Sequence, residues 1–154
     1  MANTIALNVS PGSRRDEIVA NLSGVKPGMF MERLTGGKGQ PHSTPAGPFE
    51  TMVALEDGLR GKTVSDSFAQ NDPVPVLFAL PGDEVQLILK GGESVSEGDP
   101  LVSATGGLVK GLAVSGSVTE LVTAIALESK NLAASSDALI KARIIPQYDV
   151  TSPV

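Results

Sequence analysis

The residue types that could carry acid–base or metal chemistry are few in this chain. It has no cysteine and one histidine, His42, which lies in a stretch rich in proline and glycine. A zinc site needs further nitrogen or sulfur ligands, and a histidine-dependent triad needs a nucleophile and an acid placed around the imidazole. Ser43 and Thr44 follow directly, but no nucleophile-elbow motif accompanies them. We therefore expect His42 to be a surface histidine, with no metal, cofactor or catalytic residue in the chain.

The glycine pairs and acidic residues also fail to form a catalytic or ligand-binding motif. Gly91-Gly92 and Gly106-Gly107 match neither a phosphate-binding loop nor a dinucleotide fingerprint. Most aspartates stand beside Gly, Pro or Ser, where an Asp side chain hydrogen-bonds its own turn backbone. These patterns indicate turns between strands, and we expect a protein that is not an enzyme.

Charge and hydropathy argue against nucleic-acid and membrane partners. The net charge is −5, and the only adjacent basic pair, Arg14-Arg15, is followed at once by Asp16 and Glu17. A nucleic-acid binder needs clustered cations to displace counterions from phosphates. No apolar run approaches the ~20 residues that span a bilayer, and the first residues lack the features of a secretion signal.

The sequence predicts β-strands as the main secondary structure of this chain. Apolar and polar residues alternate over residues 4–9, 84–90 and 140–145, which is the pattern of half-buried strands. Turn residues separate such runs at short, regular intervals, which favours a sandwich or a barrel. Residues 121–130 suit a strand or a short helix equally well, so the sequence leaves that segment open.

An internal repeat is the most informative feature of the chain. Residues 25–37 align with 95–107, and the shared positions include the glycines that set turns. Further on, residues 53–56 align with 125–128. The order of turns and strands is the same in both copies, which predicts two similar halves.

Three regions follow from these patterns. We expect an N-terminal arm over residues 1–13, a β domain over 14–146 with pseudo-repeats at about 24–83 and 94–149, and a C-terminal tail over 147–154. The arm alternates like a strand and is cut off by a Ser-Pro-Gly-Ser turn. It either adds to the sheet edge of another chain or folds onto its own domain. The tail is expected to be mobile or to contact a partner.

The stretch at 38–48 is long, polar and poor in core residues. Such a loop is either a contact loop or merely solvated. Together with the arm it supplies the candidate contact residues, which are Thr4, Ile5, Leu7, Val9, Gln40, His42 and Thr44.

Four runs of sequence resemble a known family, the head decoration, or cement, proteins of tailed bacteriophages. They are Gly-Asp-Pro-Leu-Val at 98–102, Gly-Gly-Leu-Val-Lys-Gly-Leu-Ala at 106–113, Ala-Ile-Ala-Leu-Glu at 124–128 and the strand at 139–145. The resemblance covers residues 75–146 and, through the repeat, 25–146.

The resemblance implies an all-β fold with room for one short helix, β-barrel-like or β-tulip-like, with an internal two-fold repeat. It further implies a homotrimer on the capsid exterior of the virion, made in the host cytoplasm. Such a protein would clamp neighbouring subunits of the major capsid protein, with no cofactor.

Two alternatives remain open from the sequence. One is another virion component, such as a shell or fibre protein. The other is a biotinyl or lipoyl carrier module, because residues 93–101 resemble a carrier hairpin and Lys110 is the nearest candidate lysine. The residues that usually flank such a lysine are missing.

Overall fold

The computed structural model describes residues 4–45, 49–113 and 119–151. The first part of the chain forms six strands, which are β1 (Ala6–Asn8), β2 (Arg14–Ala20), β3 (Phe30–Arg33), β4 (Lys38–Pro41), β5 (Met52–Ala54) and β6 (Pro73–Phe78). The second part adds β7 (Glu84–Leu89), β8 (Ser94–Val95), β9 (Pro100–Ser103), β10 (Val109–Gly111), β11 (Thr119–Ala126), β12 (Lys130–Asn131) and β13 (Ala138–Thr151). In these residues the helices are single 3-10 turns at Thr35–Gly37, Gly58–Arg60 and Thr105–Gly107.

The all-β prediction is confirmed, and in the open segment at 121–130 residues 121–126 are strand while residues 127–128 form a bend. Its first residues belong to β11, which pairs with β9 on one side and β13 on the other. Pairing on both edges satisfies most main-chain groups of this buried strand, so the tertiary contacts decide between the two conformations that its sequence allows.

The two halves repeat one strand order. In the first half, β2, β4, β3, β5 and β6 form a closed barrel, with β2 parallel to β4 and antiparallel to β6. In the second half, the order is β7, β10, β9, β11 and β13, with β7 parallel to β10 and antiparallel to β13. The β7–β13 pairing joins the two ends of this second set. β1 adds to β7, and β8 pairs with β12 as a separate two-stranded ribbon.

The Gly-Gly turns show how closely the repeat is kept. Gly36 has φ 77° and ψ 24°, and Gly106 has φ 78° and ψ 27°. This left-handed conformation favours glycine because it has no Cβ. The internal repeat predicted from sequence is therefore present in the backbone. The halves defined by strands begin at Arg14 and Glu84, so they also include β2 and β7.

One core lies inside the first barrel and a larger one is shared by both halves. Along β5, Met52 and Ala54 belong to the barrel core and Val53 to the shared core, because side chains alternate across a strand. The shared core joins Phe30 and Leu77 of the first half to residues of the second. Its fully buried second-half members are Val85, Leu87, Leu89, Leu101, Val109, Ala124, Ile140, Ala142 and Ile144. The halves are therefore packed as one body.

Most of the predicted C-terminal tail belongs to the sheet, and its role as a partner contact stays a prediction. Residues 147–151 belong to β13, and Tyr148 and Val150 pair with Val122 and Glu120 of β11. The first residues of β11 pair with residues 148–151 of the tail. The polar composition of the tail did not indicate this pairing. Residues 152–154 lie outside the described residues.

Candidate interaction surfaces

The N-terminal arm is bound to its own domain. β1 runs antiparallel to β7, with Ala6 opposite Val85. The carboxylate of Glu56 accepts hydrogen bonds from the Ile5 amide, at 3.0 Å, and from the Thr4 hydroxyl. The side-chain amide of Gln86 donates to the Thr4 carbonyl at 2.7 Å. This resolves the open choice in favour of the chain's own sheet for residues 4–13, while residues 1–3 lie outside the described residues.

The turn after β1 is also held in place. Asp83, which is buried, accepts hydrogen bonds from the amides of Ser10 (2.7 Å) and Leu80 (2.8 Å) and from the Ser13 hydroxyl. A buried carboxylate with several donors is stabilised against the cost of losing water. The Ser-Pro-Gly-Ser turn therefore fastens the arm to the body and does not detach it.

These contacts change what the arm can offer to a partner. Ile5 is fully buried in the shared core, so its prediction as a contact residue is wrong. Thr4, Leu7 and Val9 are half-buried, and Val9 packs against the same core. Their remaining exposed surface stays available, and their contact role stays a prediction.

His42 is not the surface histidine that its Pro/Gly-rich surroundings suggested. Its side chain is 2% exposed, its amide donates to the Phe30 carbonyl (2.9 Å) and its carbonyl accepts from the Gly107 amide (3.0 Å). The imidazole lies 4.2 Å from the Phe49 ring, and within the described residues Nδ1 has no hydrogen-bond partner. Burial lowers the pKa of His42, and the nearby carboxylate of Glu32 offsets part of that shift.

The reason is that residues 38–48 do not form one continuous loop. Lys38–Pro41 is strand β4, so the chain enters the junction between the halves before it turns away. Gly39 leaves room there for Ile18, because a Cβ on Gly39 would lie 2.3 Å from Ile18 Cδ1. Residues 46–48 of this stretch lie outside the described residues.

Gln40 belongs to a polar cluster around Glu32. The side-chain amide of Gln40 donates to Glu32 Oε1 at 2.6 Å, and the Ser43 hydroxyl donates to the same oxygen at 2.8 Å. Partial burial alone would raise the pKa of Glu32, but the hydrogen bonds from Gln40 and Ser43 outweigh it and hold the pKa below its ordinary value. An ionised carboxylate therefore stands beside this surface. Thr44 is exposed at its edge.

An open pocket, here called the junction pocket, lies where the halves meet beside this cluster. Its volume is about 240 Å³, and it is lined by Leu22, Gln40, Pro41, Ser43, Thr105 and Gly106. The turn after β2, strand β4 and the second-half Gly-Gly turn thus contribute to one concave site. A second pocket of about 200 Å³ includes Lys26, Met29, Ile88 and Leu139 in its lining.

Among the described residues, the most exposed large apolar side chain was not recognised in the sequence. Leu59 is fully exposed, at 102% of its reference area, in the 3-10 turn Gly58–Arg60. The Asp57-Gly58 pair did mark a turn, but nothing in the sequence showed whether Leu59 would point into the core or out of it. Only the tertiary structure gave its exposure.

The geometry also bears on the carrier-module alternative. Lys110 lies in the middle of strand β10 and not at the tip of a hairpin, and its ammonium is 2.5 Å from Glu120 Oε1. A modified lysine must reach a separate enzyme, so a lysine held within a sheet by an ion pair does not suit that role.

Other site types can be described only for the residues that the structure covers. Over residues 4–45, 49–113 and 119–151, no three His, Asp or Glu side chains are grouped so that they could hold a metal ion. Across the same ranges, no helix has the length and apolar character needed to cross a membrane.

Among solved structures, one resembles this chain over most of its length. It is the N base of the head fiber protein gp8.5 of bacteriophage phi29, with a TM-score of 0.54 and 14% sequence identity. The match covers 86% of this chain and 93% of that one. No family model matches the chain, and no curated protein matches it in sequence. At this identity, the likeness to the head fiber base shows a shared fold.

The described residues of this chain carry three distinct surface features on that fold. The described residues provide a docked arm, a projecting leucine turn and a junction pocket beside an ionised carboxylate. The arm is held by main-chain pairing with β7, and the leucine turn is held by hydrogen bonds to the Asp57 carboxylate.

Proposed function

We propose that this protein is a structural, non-enzymatic component of a bacteriophage virion. In this role it binds the outside of the head as a decoration protein and clamps neighbouring subunits of the major capsid protein. The observation that carries the proposal is the likeness to a phage head fiber base across 86% of this chain. The phage-decoration resemblance in the sequence, which was drawn from other features, points to the same kind of particle.

The architecture supports a load-bearing role. Both halves share one core, and the arm and the start of β13 are paired on the same strand, β7. When the first and last strands of a chain both pair with the same central strand, local unfolding is difficult, because many main-chain hydrogen bonds must break together. A protein that reinforces a shell needs this property more than it needs a reactive site.

The partners in this proposal are the major capsid protein and further copies of the chain. A homotrimer would match a local threefold position on the head surface, since a symmetric assembly presents identical contacts to equivalent subunits. The predicted contacts are the exposed parts of Thr4, Leu7, Val9 and Gln40 together with the exposed Thr44. Synthesis in the host cytoplasm would precede binding.

Head binding can be tested directly with purified protein. Heads of the encoding phage, prepared without this protein, are incubated with the labelled protein and separated on a density gradient. We expect the label to move with the heads and to saturate at a fixed number of copies per head. An unrelated acidic β protein of similar mass serves as control. Label that stays at the top of the gradient at all concentrations would exclude the proposal.

A second candidate is the base of a head fibre, which the name of the similar structure favours. The two candidates differ in what electron microscopy of the native virion would reveal. A decoration protein forms low, compact knobs at many equivalent positions, whereas a fibre base carries an elongated projection above each position. Immunogold labelling with an antibody to residues 4–45 would locate the chain in either arrangement.

A further inference from the structure

The contact between the two halves is built from a glycine turn of the first half and a sheet face of the second. A Cβ on Gly28 would lie 3.0 Å from Leu139 Cδ2 and 3.2 Å from Ile88 Cγ1. The Gly28 carbonyl also accepts a hydrogen bond from the Ile88 amide at 3.1 Å. The turn at Gly28 is therefore packed directly on strands β7 and β13.

The second half repeats this turn in an open position. The Gly28 amide donates to the Ala54 carbonyl and the Gly98 amide donates to the Ala126 carbonyl, both at 2.8 Å. The two glycines have φ 91° and 92°. A Cβ on Gly98, however, would meet no described atom within 4 Å. The second half therefore presents the element that the first half uses at the junction.

The first half in turn carries an exposed counterpart of the face that receives Gly28. Val19 and Ile88 hold the same place in β2 and β7, because each directly precedes the residue that pairs with the middle of β4 or the start of β10. Val19 is opposite Pro73, and Ile88 is opposite Leu139. Ile88 is 7% exposed, whereas Val19 is 37% exposed. We call Val19 and Pro73 the receiving face.

A second part of the junction also has its counterparts at the surface. The Gly107 amide donates to the His42 carbonyl at 3.0 Å. By the repeat, the matching turn residue is Gly37 and the matching acceptor is the Leu112 carbonyl. His42 and Leu112 make equivalent main-chain hydrogen bonds to β3 and β9, at 2.9 and 3.1 Å. A Cβ on Gly37 would meet no described atom within 4 Å.

The side chains beside these unused surfaces carry opposite charges. At the junction, Met29 follows the turn of the first half, and Leu108 follows the Gly-Gly turn of the second. Their counterparts are Asp99 and Lys38. Lys38 pairs with Val19 across β4 and β2, so it belongs to the receiving face. Among the described residues, no carboxylate lies within ion-pair distance of Lys38. An acidic turn would thus meet a free cation, which favours this orientation of docking.

We infer that the second half of one copy docks on the receiving face of a second copy and repeats the contact that joins the two halves within each chain. The internal junction is the argument for a second copy as the partner, because the matching turn belongs to the second half of this same chain. The two sides of the contact differ, so the assembly closes into a ring or extends. This inference rests on the homo-oligomer of the proposed function and names the surfaces that join its copies.

A disulfide can report this contact directly, because the chain has no cysteine of its own. The variants Val19→Cys and Gly98→Cys are mixed and oxidised over a range of protein concentrations. We expect a covalent dimer with one chain of each kind, since a disulfide requires Cα atoms within about 7 Å. The control is Leu80→Cys mixed with Gly98→Cys. Leu80 is 42% exposed but lies beyond the end of β6 that is opposite to Pro73.

A glycine variant tests the same contact by sedimentation velocity. Gly98→Asn fits within its own chain, because the site is open and asparagine tolerates a left-handed backbone. In a second copy, its side chain would collide with the receiving face, as a Cβ on Gly28 would collide with Leu139. We expect association at least about 10-fold weaker than that of the wild type. Gly82→Asn, with φ 99° and equally open surroundings, is the matched control and should associate normally.

The outcomes separate this inference from the proposed function. A cross-link no more abundant than the control, or a Gly98→Asn chain that associates as the wild type does, would overturn the inference. A wild type that is monomeric at all concentrations would overturn it as well, and if that monomer still saturates heads, the proposed function holds without this contact. A cross-linked oligomer that does not bind heads would uphold the inference and exclude the proposed function.

Discussion

The two Gly-Gly turns have the same backbone conformation but opposite surroundings. A Cβ on Gly37 of the first half would meet no atom within 4 Å, whereas a Cβ on Gly107 of the second half would lie 2.4 Å from the Phe30 carbonyl oxygen. The second-half turn packs into the junction, where its amide donates to the His42 carbonyl. The Gly-Gly turn of the second half therefore packs between the two halves, whereas the equivalent turn of the first half faces solvent.

The sheet faces of the two halves differ in the same way. Val53 and Leu77 face each other across β5 and β6 and are fully buried in the shared core. Their counterparts in the strand order, Ile125 and Arg143, are opposite each other on β11 and β13, and both are at least partly exposed. A repeat in sequence thus specifies a repeated backbone, while the junction determines which copy of this sheet face is buried.

The largest expected loss of stability comes from removing a large buried side chain at the junction between the halves. Phe30→Ala should reduce the free energy of unfolding by about 3–5 kcal/mol, because it removes a fully buried ring and leaves a cavity. Urea denaturation followed by circular dichroism should still give one transition, since the halves share this core. Two separate transitions would show that the halves fold independently and that the shared core contributes little.

The paired glycine variants test the comparison most directly. Both turns need a left-handed residue, so Gly37→Ala should cost about 1 kcal/mol. Gly107→Ala adds a clash with rigid main chain and should cost about 3 kcal/mol in all. The two variants are compared by urea denaturation under identical conditions. Equal losses of stability would mean that the second-half turn is not packed as described.

The buried carboxylate that fastens the arm gives a smaller effect. Asp83→Ala leaves the amides of Ser10 and Leu80 without their acceptor, and we expect a loss of about 2 kcal/mol. Hydrogen exchange should rise at the Gln86 amide, which donates to the Ile5 carbonyl, and at the Ile5 amide, which donates to the Glu56 carboxylate. Unchanged exchange at Gln86 would contradict the view that this turn secures the arm.

The smallest expected effect is a pH dependence at the junction. Because burial lowers the pKa of His42 below its ordinary value of about 6.5, the folded state binds fewer protons than the unfolded chain there. This contribution to stability is present above pH 6.5 and is lost as the pH falls towards the folded-state pKa. The carboxylate of Glu32, which faces His42, raises the folded-state pKa of His42. It therefore reduces the range of pH over which His42 affects stability.

His42 is the only histidine, so the comparison with His42→Gln is clean. Between pH 7 and pH 5, the wild type should lose more unfolding free energy than His42→Gln does, because only the wild type must protonate a buried imidazole. Thermal melts at fixed ionic strength measure the difference. The shifted carboxylates Asp16, Glu32, Asp57 and Asp66 titrate below this range. A wild type and a variant with parallel pH profiles would place His42 in contact with solvent.

The sequence by itself determined the class of fold, the repeat and most of the turns. Alternation over β7 and β13 and the glycines at 36 and 106 are local signals, because side-chain period and left-handed turns depend on residues close in the chain. These signals are why the all-β prediction is confirmed. The segment at 121–130 stayed open until β9 and β13 were seen to pair with it on both sides.

The tertiary structure alone decided which surfaces are free. Polar composition suggested an exposed His42 and a free tail, yet β4 leads His42 into the junction and β11 pairs with the tail as far as residue 151. No sequence pattern indicated that Leu59 would be fully exposed. Burial depends on contacts between residues far apart in sequence, and local patterns carry little information about such contacts. The candidate interaction surfaces of this protein are therefore products of how its two similar halves meet.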